Sequence, residues 1–165
     1  RFLVLYGDDI HDTESLKECL NYPRAMIVSE VDNPKPFGVV EINEEGFILD
    51  VVEKPEFPKT NLVNTGANLL DTNIFKYPAE QHPNGEFYLP TVIGKMLKDY
   101  PVKAVHSTGW LTVATPEDLA RVEQVLDTET GVRSSDRRPS SRNLGDGRRA
   151  YHPEHRWRTV RILDS

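Results

Sequence analysis

The stretch Phe2-Leu3-Val4-Leu5-Tyr6-Gly7-Asp8-Asp9 runs five apolar or aromatic residues straight into a glycine and two carboxylates. A continuous run of this kind, with no polar alternation, reads as a strand buried on both faces. Ligands of open α/β sheets gather at the carboxyl ends of such strands. Asp8, with Gly7 allowing close backbone approach, can hold Mg²⁺ against phosphates; Asp is equally at home as a turn or helix-cap residue, so the dipeptide alone leaves both readings open. Residue 1 already lies inside the strand and is not Met, so the chain is expected to begin in the middle of a domain.

Further along, strands and helices alternate. Ala25-Met26-Ile27-Val28 is a second buried strand, and Asp32–Pro36 is a loop. Phe37–Ile42 and Phe47–Val52 flank Asn43-Glu44-Glu45-Gly46 and predict a hairpin. Asn64-Thr65-Gly66 leads into the apolar residues 67–70, either as a polar contact surface or as a loop-to-strand junction. Val92, Ile93, Met96 and Leu97 give 89–100 a helical period, and 102–106 and 110–113 are short strands. Thr115-Pro116-Glu117-Asp118 is a helix start, with Leu119, Val122, Val125 and Leu126 as the apolar stripe. Asp12 or Thr13 caps an earlier helix carrying Leu16, Cys19 and Leu20 on one face. This order predicts a mixed α/β sheet.

Composition narrows the function classes. With 165 residues the chain has room for about one domain. No apolar run approaches the roughly 18–20 residues of a membrane-spanning helix, and the single cysteine, Cys19, forms no disulfide framework within the chain. A cytoplasmic protein is the expectation, with neither membrane nor nucleic acid as partner, since the net charge is −6. The charge is uneven. Residues 1–126 hold eight Lys, three Arg and twenty Asp or Glu, whereas 127–165 hold no Lys, nine Arg and six acids. The expected division is a body over 1–127 and an Arg-rich tail over 128–165, too poor in apolar residues to order itself. The abrupt change reads as translated out-of-frame, GC-rich DNA; a basic arm for an anionic partner is the alternative.

Singly, the remaining motifs are ambiguous. Glu53-Lys54-Pro55 can accept sugar hydroxyls and hold a phosphate, or form a surface ion pair worth little. Their order is more telling. Gly7-Asp8-Asp9, Asn33-Pro34, Phe37-Gly38-Val39-Val40, Glu53-Lys54-Pro55, Asn64-Thr65-Gly66, Gly85-Glu86-Phe87-Tyr88-Leu89, Gly109-Trp110 and Thr115-Pro116-Glu117-Asp118-Leu119 follow one another along the chain. Over residues 2–127 this series resembles the sugar-1-phosphate nucleotidyltransferases, the family of glucose-1-phosphate thymidylyltransferase and UTP–glucose-1-phosphate uridylyltransferase.

The resemblance implies a three-layer α/β/α sandwich with a mixed, mostly parallel sheet, truncated at its N-terminus. It implies a reaction of NTP with sugar-1-phosphate to give NDP-sugar and pyrophosphate, with Mg²⁺ as cofactor and a homo-oligomer as a possible assembly. Asp8 then corresponds to the first Mg²⁺ ligand and Lys54 to the lysine on the sugar phosphate. Glu53 corresponds to the carboxylate on sugar hydroxyls and Gly38 to a backbone contact to the sugar, while Asn64 and Gly66 line the sugar pocket. Three departures stand out. No Gly-rich G-x-G-T-R-like stretch is present; Thr112 fills the slot of the second metal-binding Asp, with Ala114 in place of a Gly; and Pro90-Thr91 replaces a Thr-Asp pair. A non-catalytic regulatory or binding domain of the same fold is therefore the alternative function. Lacking a loop to cradle a triphosphate, this chain alone is expected to make no NDP-sugar from any NTP and glucose-1-phosphate, which a pyrophosphate-release assay on the purified chain checks.

Overall fold

A computed structural model describes residues 1–113 and 115–130. Its elements in chain order are β1 (Phe2–Leu5), β2 (Asp9–Ile10), α1 (Thr13–Cys19), β3 (Ala25–Glu30), β4 (Gly38–Ile42), β5 (Ile48–Glu53), β6 (Leu62–Leu70), a 3-10 turn (Thr72–Lys76), α2 (Leu89–Met96), β7 (Lys103–His106), β8 (Leu111–Thr112) and α3 (Pro116–Thr130).

β6 organises the sheet. All nine of its residues are buried, and it is hydrogen-bonded to three other strands. β3 runs antiparallel along one edge, from Ala25 opposite Leu69 to Glu30 opposite Leu62. The other edge is divided. β4 meets it only at Val39–Val63, and β1 joins from Leu5–Ala67 to Phe2–Leu70. Residues 64–66 lie in the gap between these two partners. β5 extends the sheet beyond β4, and β7 extends it beyond β3.

Helices cover both faces, which explains why residues 25–28 of β3 are an unbroken apolar run. Met26 and Val28 point into a core with Val92, Ile93 and Met96 of α2; Ala25 and Ile27 point the other way, into a core with Cys19, packed against by Leu16 of α1. The result is the three-layer sandwich of the sequence reading. Cys19 belongs to that second core, and burial pushes its thiol up to about 12, so it is packing rather than nucleophile.

Several expectations need correction. The sheet is mixed, but among the described residues only the β3–β7 pairing is parallel, so it is not mostly parallel. The physical reason is that β6 lies antiparallel to β1, β3 and β4 alike. β1 is not a central strand with two buried faces: it pairs with β6 alone, and only Val4 is buried. Asn64-Thr65-Gly66 is no junction but the interior of β6. α2 stops at Met96 instead of Tyr100. On α3, Val122 is buried but Leu119 is half exposed, so the proposed stripe is not a buried face. α3 runs from Pro116 to Thr130, and the expected Arg-rich tail lies, from 131 onward, outside the described residues. The hairpin forms as read, with Gly38 opposite Glu53, and Gly46 takes the positive φ of 74° that its turn requires.

One carboxylate ties the ends of several elements together. Asp12 caps α1 by accepting from the Ser15 N–H at 2.8 Å, and it also accepts from the Ser15, Ser107 and Thr108 hydroxyls and the Gly109 N–H. Burial alone would raise its pKa; these bonds outweigh that and hold the group well below the usual carboxylate range. A depressed folded-state pKa adds stability above the unfolded value, and this is lost as pH falls through the folded value. Asp12→Ala is accordingly expected to cost about 1–2 kcal/mol at pH 7. The gap between variant and wild type should narrow as the pH drops below about 4, measured by urea unfolding across pH.

Candidate functional site

The gap beside residues 64–66 opens into a cleft of about 540 Å³. A strand whose edge partners part company leaves backbone and side-chain groups facing space instead of a ladder. Here the space is walled on one side by the β4–β5 hairpin and on the other by the turn after β1 with the short β2–β8 pair.

Gly38, Glu53, Lys54, Asn64, Gly66, Asp8 and Thr112 all line this cleft. The antiparallel register sets Glu53 directly across from Gly38. A Cβ on Gly38 would stand 3.1 Å from Glu53 Oε2 and 3.5 Å from Pro90, so glycine lets the carboxylate and the start of α2 close in together. Lys54 follows with φ of 46°, the one non-glycine residue at positive φ among the described residues, and its N–H donates to Phe37 O at 2.9 Å. Its ammonium lies 3.9 Å from Glu53 Oε1.

Asn64 and Gly66 form the floor. Asn64 Oδ1 accepts from the Gly66 N–H at 2.9 Å, while its buried Nδ2 has no partner among the described residues and remains a donor. Gly66 has φ of 87°, and a Cβ there would sit 2.5 Å from the Tyr6 ring and 2.7 Å from Asp9 Oδ2. No side chain fits this position. The neighbouring Thr65 turns its hydroxyl to Ile27 O at 2.9 Å and fastens the floor to β3.

Asp8 and Thr112 share the cleft, but they are not cross-strand partners. Thr112 faces Asp9 in the β2–β8 register, and Asp8 O instead accepts from the Val113 N–H at 2.8 Å. Asp9 is the cleft residue that the motif reading passed over as a site. Its Oδ1 accepts from the Trp110 indole at 3.0 Å, and Trp110 packs edge-on against Phe37 at 5.4 Å. That chain links the β2–β8 wall to the hairpin wall. Asp118, read only as a helix-start residue, also lines the cleft and accepts from the Thr115 hydroxyl and Arg121. Spacing along the chain could not have shown either role, since both come from pairings across about a hundred residues or from helix placement.

The charges are lopsided. Asp8, Asp9, Glu53 and Asp118 face the cleft, with Lys54 as the one Lys or Arg among the described residues of its lining. The described residues contain no group of three or more His, Cys, Asp or Glu that could hold a metal by themselves. Asp8, without a side-chain partner among the described residues, fits the other arrangement, in which Mg²⁺ is held by one or two carboxylates and otherwise by substrate oxygens and water.

Residues 1–129 match the family model described as nucleotidyl transferase. The chain belongs to this family. Among nucleotidyl transferase relatives, it is 38% identical over 128 residues to the bifunctional protein GlmU of Methanocaldococcus jannaschii, covering 76% of this chain and 31% of that one. It is 33% identical over 129 residues to the bifunctional sugar-1-phosphate nucleotidylyltransferase/acetyltransferase of Sulfurisphaera tokodaii, covering 74% and 32%. A Bacillus anthracis structure described as a glucose-1-phosphate thymidylyltransferase superposes with a TM-score of 0.62 at 27% identity, over 74% of this chain and 53% of that one. The chain thus spans about a third of these curated relatives and about half of the solved one. No helix among the described residues is long and apolar enough to cross a membrane.

A lysine at positive φ is costly, and glycine removes that cost. Lys54→Gly is therefore expected to leave thermal stability unchanged or raise it by up to about 1 kcal/mol, while removing the cleft's ammonium. Differential scanning calorimetry checks the first half of that trade.

Proposed function

We propose that this cleft binds a sugar-1-phosphate and serves nucleotidyl transfer from an NTP, giving an NDP-sugar and pyrophosphate. The observation that carries the reading is the convergence of Glu53, Lys54, Asn64, Gly38 and Gly66 on one cleft. Each offers what a sugar phosphate needs. The Glu53 carboxylate accepts from sugar hydroxyls, Asn64 Nδ2 donates to a ring or hydroxyl oxygen, and the Lys54 ammonium meets the phosphate. Gly38 and Gly66 keep the walls and floor low enough for a pyranose to lie against backbone. The names of the Sulfurisphaera tokodaii and Bacillus anthracis relatives agree with this substrate class.

In the proposed reaction a phosphate oxygen of the sugar-1-phosphate attacks the α-phosphorus of the NTP, and the bond to pyrophosphate breaks. Such transfer depends on positioning and charge neutralisation more than on covalent help from the protein. Lys54 and Glu53 orient the nucleophile from the phosphate and sugar ends. Asp8 would hold Mg²⁺, which offsets the charge of the phosphates in an otherwise acidic cleft.

A second reading, binding without turnover, is favoured by Thr112, a neutral hydroxyl in the slot where the resemblance implies a second carboxylate. The two readings part on Mg²⁺. For a catalytic cleft, affinity for glucose-1-phosphate should rise with Mg²⁺ and rise further in Thr112→Asp; a binding domain should be indifferent to both.

Isothermal titration of the chain with glucose-1-phosphate tests the common core. Lys54→Ala should weaken binding about ten- to a hundredfold, the loss of a charge-assisted contact worth about 1.5–3 kcal/mol. Glu53→Gln should cost less and leave the phosphate contact intact. Equal affinity of wild type and Lys54→Ala would overturn the assignment of the phosphate to this lysine.

A further inference from the structure

Lys54 has a neighbour outside the cleft lining. Its Nζ lies 4.9 Å from the centre of the Tyr88 ring. Tyr88 ends the 81–88 segment and begins α2 as its N-cap residue, without a side-chain cap bond of its own. The segment is a small hairpin in which Gln81 pairs with Phe87, His82 N–H donates to Glu86 O at 2.8 Å, and Gly85 turns the chain at φ of 86°. This hairpin grips the tyrosine. The His82 ring packs edge-on against it at 5.4 Å, Asn84 Nδ2 donates to its hydroxyl at 2.7 Å, and that hydroxyl donates to the Glu86 carboxylate. The ring is thus held from the solvent side and presents its face to the ammonium.

We propose that Tyr88 is a positioning residue that holds the Lys54 ammonium free for a phosphate; this rests on the reading of the cleft given above. Lys54 has two possible attractors. A close ion pair with Glu53 would occupy N–H donors of the lysine and acceptors of the glutamate, the same groups the sugar phosphate requires. An aromatic face attracts the cation through its quadrupole and takes up none of the three N–H donors in a conventional hydrogen bond. At 3.9 Å from Glu53 Oε1 the ammonium sits at the outer limit of an ion pair, drawn off by the ring. The left-handed backbone at Lys54 starts the side chain from a fixed point, and Tyr88 fixes its far end.

The test uses the full chain with three variants, two ligands and one spectroscopic marker. In ligand-free protein the ε-methylene protons of Lys54 should be shifted upfield by the ring in wild type and in Tyr88→Phe, and return to ordinary values in Tyr88→Leu. Glucose-1-phosphate should bind Tyr88→Leu about two- to fivefold more weakly than wild type, the size of a part-exposed cation–π contact, with Tyr88→Phe restoring the affinity and glucose itself unaffected. In the Lys54→Ala background, Tyr88→Leu should add nothing, because a residue acting through Lys54 has no effect once the lysine is gone. An equal loss in both backgrounds, a loss shared by glucose, or an unshifted Lys54 in wild type would overturn the role of Tyr88. Failure of the wild-type chain to bind glucose-1-phosphate while the Lys54 shift is present would overturn the reading of the cleft beneath it. Circular dichroism of Tyr88→Leu separates unfolding from misplacement, and Tyr88→Phe decides the matter if the leucine variant does not fold.

Discussion

A strand has two edges, and each backbone position on an edge can be paired once. β6 pairs along one edge with β3, with a register shift between Met26 and Val28, and divides the other edge between β4 and β1. Everything about the cleft depends on that division. Where the two partners separate, between Val63 and Gly66, the Gly66 carbonyl still accepts from the Tyr6 N–H, and the hairpin and the β1 turn diverge to either side. β3 stays paired with β6 on either side of a register shift between Met26 and Val28, and Thr65 is hydrogen-bonded across to it there.

The two walls are held by different physics. The hairpin wall is a register effect: pairing β4 with β5 through the Gly46 turn leaves Glu53 opposite Gly38, and Lys54 one residue on in a conformation that only neighbouring contacts sustain. The acidic wall is a hydrogen-bond effect. Asp12 gathers the start of α1 and the 107–109 loop, which places β8 against β2, and Asp9 then takes the Trp110 indole. Phe37 against Trp110 closes the loop between the walls. His11, beside Asp12, is half-buried, its ring nitrogens have no partner among the described residues, and burial lowers its pKa against the pull of Asp12.

Local chemistry was legible from the chain alone wherever it is set by neighbours in sequence. The hairpin around Gly46, the cap at Asp12, the Thr115–Asp118 helix start, the buried run at 25–28 and the short strand after Val102 follow from turn residues, side-chain reach and local apolar content. That Asp8, Gly38, Glu53, Lys54, Asn64 and Gly66 line one cleft was an expectation of the family resemblance and not of local chemistry, since they lie far apart in the chain. What misled was burial inferred from apolar continuity: Phe2–Tyr6 has the composition of a central strand, yet β1 has one partner. Leu119 has helical spacing from Val122 and yet half its surface is exposed.

The sequence by itself determined which residues could turn, cap and pack, and which carboxylate, ammonium and amide groups were available to a site. Only the tertiary structure decided that Asn64-Thr65-Gly66 is the interior of the most buried strand, that Asp9 rather than Asp8 faces Thr112, and that Tyr88 lies over Lys54. Propensity and spacing act over a few residues, within reach of one backbone turn. Strand register, the division of an edge and a ring set against a cation join residues tens of positions apart, and only the packing of the whole sheet selects among the pairings that local chemistry allows.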